Sequence, residues 1–267
     1  MGNRNVDYAF SNSAPQADQH LSSLEEYLDP MTVACLRELV PAGSGSRCLE
    51  LGPGRGSIAR WLIHRVGPAG RVVAVDRDPR RLAPAGNLEI VRHDLQRGLP
   101  VTGPFALIHA RLVLLHLPNR DSLLQRLVAE LAPGGWLVIG EFRSAKPPAV
   151  LTPDIGRDTA LFTRVVDETL GLLGAHYGLD NLWGERVHEA MARAGLRPVT
   201  VAVHDGVWTG GGPGCGLFSA CASQKHEQLL ARGLTEGELQ RFQALMRDPQ
   251  FGTRAWSFAC VRGQRPG

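Results

Sequence analysis

Apolar residues recur at spacings of three and four over residues 20–40, where Leu21, Leu24 and Leu28 are followed by Val33, Leu36, Leu39 and Val40. That period lines one face of a helix, and the Asp29-Pro30 step predicts a break in it. PAGSGS at 41–46 reads as a turn, after which the pattern changes. RCLELG at 47–52 is a continuous apolar run closing on glycine, SIARWLIHRV at 57–66 returns to the helical period, and RVVAVD at 71–76 is a second continuous run. Short apolar runs bounded by turn residues read as buried strands. NLEIVRHD (87–94), FALIHAR (105–111) and WLVIGEF (136–142) continue the series, with DSLLQRLVAEL (121–131) as a helix between the last two. Strand–helix–strand repeated in this way predicts parallel strands joined by right-handed crossovers, hence a doubly wound α/β sheet.

The remainder is less regular. Residues 144–184 are rich in proline and glycine around one helical stretch, DTALFTRVVDETLGLL, and read as an insertion over the sheet edge. ERVHEAMARAG (185–195) predicts a helix, RPVTVAVH (197–204) a strand, and RAWSFACVRG (254–263) a last, antiparallel strand. Between these, 206–250 predicts a glycine-rich loop, GVWTGGGPGCG, and two helices. The expected organisation is an N-terminal helical lid over 1–46 and a core over 47–267, with cap insertions at about 144–184 and 206–250. Such segments commonly build the cover of a site, so the lid and insertions are expected to enclose the acceptor.

Composition narrows the class. The chain has 267 residues, 43% hydrophobic and 21% charged, with a mean hydropathy of −0.10, which is the profile of a globular protein. No apolar run approaches the roughly 18 residues a membrane span needs. MGNRNVDYAFSNSAPQ lacks the basic-then-apolar layout of a secretory signal, so cytoplasm is the expected location. A net charge of +3, from 29 Lys and Arg against 26 Asp and Glu, is too balanced to argue for nucleic acid. Only two of those cations are lysines, Lys146 and Lys225. The cysteines at 35, 48, 215, 221 and 260 are scattered, without a C-x-x-C pair, and support neither a zinc site nor a disulfide framework.

Candidate chemistry begins at Glu50-Leu51-Gly52-Pro53-Gly54-Arg55-Gly56, where the first strand turns into a helix and small residues let the backbone approach a ligand. The dinucleotide fingerprint G-x-G-x-x-G, counted from Gly52, needs glycine at 57, where this chain has Ser57; that argues against a nicotinamide cofactor. The acid Glu50 disfavours a diphosphate and favours a cation, an interaction of about 4 kcal/mol at 4 Å and an effective dielectric of 20. Asp76 closes the second strand at the position where an acid of such folds accepts from ribose hydroxyls. Asp94 closes the third, where a carboxylate can accept from an exocyclic amine. A cationic adenosine derivative, S-adenosylmethionine, fits all three acids.

ELGPGRG, VVAVDRDP, RHDL, FALIHARLVLLHL and LAPGGWLVIGEF, in this order and spacing, resemble the consecutive motifs of class I S-adenosylmethionine-dependent methyltransferases. The similarity is greatest to the ubiquinone/menaquinone-biosynthesis-type small-molecule branch, as it occurs in actinobacterial natural-product pathways. It covers residues 47–143 firmly. It implies a mostly parallel, seven-stranded Rossmann-like sheet. It also implies that Glu50, Gly52, Gly54 and Gly56 line the methionine moiety, that Asp76 and Arg77 hold and flank the ribose, and that Asp94 and Leu95 frame the adenine. Ala110 and Arg111 would lie beside the sulfonium end. Pro53, which removes a backbone donor from the turn, departs from the family pattern.

His116, just past the fourth strand, and Glu141, ending the fifth, are the candidate catalytic bases; His109, within an apolar strand, reads as a core histidine. Phe142, Phe162, His176, Tyr177 and Trp208 are candidates for a hydrophobic acceptor chamber. The expected reaction is in-line SN2 methyl transfer to a small-molecule acceptor, without metal. The alternative is a non-methyl reaction, such as a cyclisation or elimination, that uses the sulfonium charge. Neither nucleic acid nor membrane is expected as a partner, and a homodimer is left open.

Overall fold

In the computed structural model, which describes residues 17–143, 146–151 and 155–267, the chain runs α1 (Ala17–Leu36), β1 (Arg47–Leu51), α2 (Ser57–Val66), β2 (Arg71–Asp76), β3 (Leu88–Arg92), β4 (Phe105–Arg111) and α3 (Arg120–Ala129). It continues through β5 (Leu131–Phe142), α4 (Ile155–Tyr177), α5 (Trp183–Arg193) and β6 (Val199–His204). The last part comprises β7 (Val207–Thr209), α6 (Pro213–Gln224), α7 (His226–Ala231), α8 (Glu236–Leu245), β8 (Gly252–Arg254) and β9 (Phe258–Gln264). Contacts divide the chain into two units. A sheet unit holds Leu28–Arg143, Leu182–His204 and Phe258–Gly267, and a helical unit holds Met1–Tyr27, Ser144–Asn181 and Asp205–Ser257.

The sheet unit carries seven strands in the order β3-β2-β1-β4-β5-β9-β6. The first five are parallel, and β9 runs antiparallel to both β5 and β6. The chain winds outward from β1 through β2 to β3, then restarts on the other side of β1 with β4. The switch point of the doubly wound sheet therefore lies between β1 and β4, which is where such sheets open a ligand crevice beyond the strand ends. Leu49, Leu51, Val73, Val75, Ile108 and Ile139 form the centre of the core and are fully buried. Covering on both faces explains why these strands read as continuous apolar runs rather than alternating ones.

Several expectations are corrected. The predicted break at Asp29-Pro30 is absent, since α1 continues through Pro30. Proline removes one helical hydrogen bond, and in the next turn the Thr32 hydroxyl donates to Leu28 O at 2.9 Å, while Leu28 and Leu36 on either side of Pro30 are both fully buried. The contact-based division between units falls within this helix, between Tyr27 and Leu28. Of the expected lid, residues 1–16 lie outside the described residues. The strand predicted from 136 starts at Leu131, because Leu131 pairs with Phe105 ahead of a register shift that absorbs Pro133 and its glycines. The stretch 206–250 forms three helices in place of two, and its glycine-rich segment contains strand β7, paired with β8, followed by the proline-led start of α6. Pro213 in the first turn of α6 gives up a donor that no helix uses there.

The helical unit is built around aromatics. Phe162 of α4 meets Phe218 of α6, Phe242 of α8 and Phe251 with ring centroids 5.2, 6.1 and 5.4 Å apart. His20 of α1 is buried beside Cys221 of α6, Nδ1 to Sγ 3.5 Å, and burial together with the Lys225 charge pushes its pKa down to about 4. The unfolded chain takes up this proton near pH 6.5, and the folded chain only near pH 4. This contribution to stability is therefore intact above pH 6.5 and is lost as the pH falls, by about 2 kcal/mol at pH 5 and about 3 kcal/mol at pH 4. We expect His20→Gln to flatten the dependence of unfolding free energy on pH across that window in urea titrations; parallel curves for the two proteins would contradict the burial of a neutral imidazole.

Candidate active site

The turn after β1 needs three left-handed residues: Gly52, Gly54 and Gly56 have φ of 60°, 59° and 81°. Side chains are strained there, and packing excludes them at two of the three positions. A Cβ on Gly52 would sit 2.4 Å from Val113 Cγ2, and one on Gly56 would sit 2.6 Å from Leu82 Cδ2. The glycines at 52 and 56 are thus dictated by backbone conformation and by neighbouring side chains. Gly52 N–H donates to Val75 O at 2.9 Å and Gly56 N–H to Pro53 O at 2.8 Å, which ties the turn to β2 and closes it ahead of α2.

Asp76, at the end of β2, accepts the Asp78 N–H at 2.8 Å and is further held by the N–H groups of Gly54 and Arg77. Burial raises its pKa, and those backbone donors partly offset the rise. A carboxylate has about four lone-pair positions, so with three N–H donors on it a fixed, half-buried Asp76 keeps about one for a ligand hydroxyl. Arg77 beside it is exposed. Asp94, after β3, accepts the Gln96 N–H at 3.0 Å and caps a short 3₁₀ turn, and Leu95 in that turn joins the core cluster.

Glu50 pairs with His109 directly across the switch point: they are register partners in β1 and β4, and Nδ1 lies 2.8 Å from Glu50 Oε2. Reading each strand alone made His109 a plain core residue; aligning the two strands would have found the pair. Ala110, expected beside the cofactor, is fully buried in the core, so any contact there would come from its backbone. Arg111 ends β4 and bonds back to α1, with Nη1 2.8 Å from Asp29 Oδ1 and 3.0 Å from Thr32 Oγ1. The same Asp29 oxygen accepts from Ser57 Oγ at 3.1 Å, at the start of α2. Asp29 thereby joins the end of β4 to the helix that the glycine turn feeds, a link the sequence pattern did not reveal. We expect Arg111→Ala to lower unfolding stability by about 1–3 kcal/mol, because it strands a partly buried carboxylate. Paired with Asp29→Ala in a double-mutant cycle, the losses should be less than additive. Strictly additive losses in denaturant titrations would refute the link.

His116 closes a 3₁₀ turn, Leu114–His116, that follows β4, and it is half-buried. Val113, at the head of that turn, is the residue pressed against Gly52, so the turn bearing His116 abuts the glycine turn. Between β4 and this turn stands Leu112 with φ of 54°, the one non-glycine residue at positive φ among the described residues. Backbone held in this region is characteristic of functional loops. Glu141 is 1% exposed in β5, opposite Ala259 of β9. Phe142 next to it packs edge-on against Phe258, with centroids 5.8 Å apart.

The other aromatic candidates belong to the helical unit. Trp208 is 2% exposed, enclosed by Tyr27, Phe218 and Trp256 at centroid distances of 5.2, 5.0 and 5.9 Å, and Phe162 is fully buried; both are packing residues. His176 is exposed and meets the Tyr177 ring edge at 4.8 Å, while the Lys225 ammonium lies 4.1 Å from the Tyr177 ring centre. Burial pushes the thiols of Cys48, Cys215 and Cys221 up to about 12, so these three are not thiolate nucleophiles at neutral pH.

The residues present fit S-adenosylmethionine. The acids Glu50, Asp76 and Asp94 at or near the strand ends are acceptors, which suits a ligand carrying hydroxyl, amine and sulfonium groups, and Asp76 is fixed by backbone with acceptor capacity to spare.

Comparison with known proteins agrees with this geometry. Methyltransferase str2 of Strobilurus tenacellus is 34% identical over 151 residues, 53% of this chain and 52% of that protein. The ubiquinone/menaquinone biosynthesis C-methyltransferase UbiE of Pseudomonas putida is 30% identical over 115 residues, 39% of this chain and 45% of that protein. The chain thus spans about half the length of the curated relatives it matches. Among solved structures, phosphoethanolamine N-methyltransferase 2 of Haemonchus contortus, in complex with S-adenosyl-L-methionine, shares the fold. Its TM-score is 0.56 at 15% identity, covering 99% of this chain and 61% of that one. The family model for a methyltransferase domain matches residues 24–200, more than half of the chain and all of the site from Asp29 to Phe142, so the chain belongs to the methyltransferase-domain family.

Proposed function

We propose that the protein transfers a methyl group from S-adenosylmethionine to a small organic acceptor. The observation that carries this reading is the set of acids, Glu50, Asp76 and Asp94, at or near the ends of three adjacent parallel strands, next to a turn of three left-handed glycines. Asp76 accepts from a ribose hydroxyl, Asp94 and Leu95 frame the adenine, and Glu50 faces the positively charged amino-acid arm. When bound, the cofactor supplies an electrophilic methyl on sulfonium. The chain's own part is to hold donor and acceptor in line and to exclude water, which accounts for most of the acceleration of an SN2 transfer. For a hydroxyl acceptor, His116 takes the proton as the O–CH₃ bond forms and the S–CH₃ bond breaks, with Glu141 as the second candidate base. Phe142, next to Glu141, contributes to acceptor selection.

The resemblance to the ubiquinone/menaquinone-type branch supports a natural-product intermediate as acceptor. The near-balanced net charge of +3 favours a reaction without a nucleic-acid partner. The test is mass spectrometry of candidate phenols, amines and enols incubated with the protein and S-adenosylmethionine. One added methyl per acceptor, with stoichiometric S-adenosylhomocysteine, supports methyl transfer. A product isomeric with its substrate, with the cofactor unconsumed, would replace that reading with cofactor-assisted cyclisation.

A further inference from the structure

His109 is wholly enclosed, while the side chain of Glu50 keeps 4% of its surface open. An ionised carboxylate only accepts, so the 2.8 Å contact requires the proton on Nδ1 and leaves Nε2 as the second ring nitrogen. Nε2 is buried and has no hydrogen-bond partner among the described residues. A leucine in this strand would fill the space without that penalty, so stability alone does not account for an imidazole here. What the imidazole does supply is one fixed donor to one carboxylate oxygen, at the switch point where the sheet opens its crevice. Lone carboxylates swing about their terminal torsion, and a donor on one oxygen fixes the direction of the other.

We propose that His109 is a positioning residue: through the Nδ1–Oε2 bond it fixes the Glu50 carboxylate to receive the ammonium of the cofactor's amino-acid arm. This rests on the cofactor reading above. His109 acts only through Glu50 and touches no ligand. Its effect is therefore confined to ligands that carry the amino-acid arm, and the nucleoside end does not sense it.

Two ligands separate these ends: S-adenosylhomocysteine, which has the arm, and 5′-methylthioadenosine, which lacks it. Calorimetry on the full chain should show that His109→Leu weakens S-adenosylhomocysteine by about tenfold to a hundredfold, while 5′-methylthioadenosine binds as to the unmodified protein. His109→Gln keeps polarity but places its amide at the ε position, out of reach of Oε2. It should reproduce the selective loss, and it carries the test if the leucine variant does not fold. His109→Asn places an N–H where Nδ1–H stands and should restore the affinity. Equal losses for both ligands, or no loss for S-adenosylhomocysteine, would overturn the proposal. If the unmodified protein binds neither ligand, the cofactor reading itself fails, an outcome distinct from a failure of the positioning role.

Discussion

His116→Ala is expected to lower kcat for a hydroxyl acceptor by about 10²- to 10⁴-fold and to leave affinity for S-adenosylhomocysteine close to that of the unmodified protein. The histidine stands at the end of a 3₁₀ turn whose first neighbour, Val113, packs on Gly52, so it is held next to the glycine turn without being part of it. Pro118, two residues on, restricts the backbone of Leu117 to extended conformations and fixes the exit of the turn. A base in this position affects proton removal and not cofactor binding, which predicts a loss in kcat that an amine acceptor, already neutral and desolvated, does not share. If the side chain only packs, the variant melts at a lower temperature and retains full turnover per folded molecule. Turnover and melting temperature measured on one preparation separate the two.

Asp76→Ala is expected to weaken S-adenosylmethionine binding by about 1.5–3 kcal/mol, the range for hydrogen bonds to a charged acceptor. Two effects combine in that variant, because the carboxylate serves both the ligand and the backbone N–H groups of Gly54, Arg77 and Asp78. Asp76→Asn distinguishes them. Its amide oxygen can still accept from Asp78, so the turn survives, whereas one acceptor oxygen and the charge are lost. Affinity in the asparagine variant should fall between that of the alanine variant and the unmodified protein, with a melting temperature near the latter. Unchanged affinity in both variants, read by calorimetry, would remove Asp76 from the ribose site.

The sheet was legible because its central strands are buried on both faces and its helices are amphipathic. Arg71–Asp76, Phe105–Arg111 and Ser57–Val66 were each bounded correctly from their apolar patterns alone. Where local signals compete with packing, the reading failed. Pro30 marks a break by its own chemistry, yet burial of Leu28 and Leu36 on either side carries α1 through it. GVWTGGGPGCG reads as a loop by composition, yet Trp208 within it is sealed by three aromatic side chains, which makes β7 part of a core. Asp76, Asp94 and the glycines, named by position along one strand, stand at the strand ends and in the turn where the pattern put them. Residues whose importance lies in a partner distant in sequence were missed or misjudged. His109 is informative only once β1 and β4 are set side by side, and Arg111 only once Asp29 is known to face it 82 positions away.

The central claim is that three acids on adjacent strand ends, with the glycine turn, form a site for S-adenosylmethionine that needs no metal. Isothermal titration of the full chain with S-adenosylmethionine, in buffer containing a chelator, tests it most directly. A single saturable site with an affinity near the micromolar range, on the order of 8 kcal/mol, is the predicted result. Absence of binding heat, or binding that appears only when a divalent cation is restored, would contradict it.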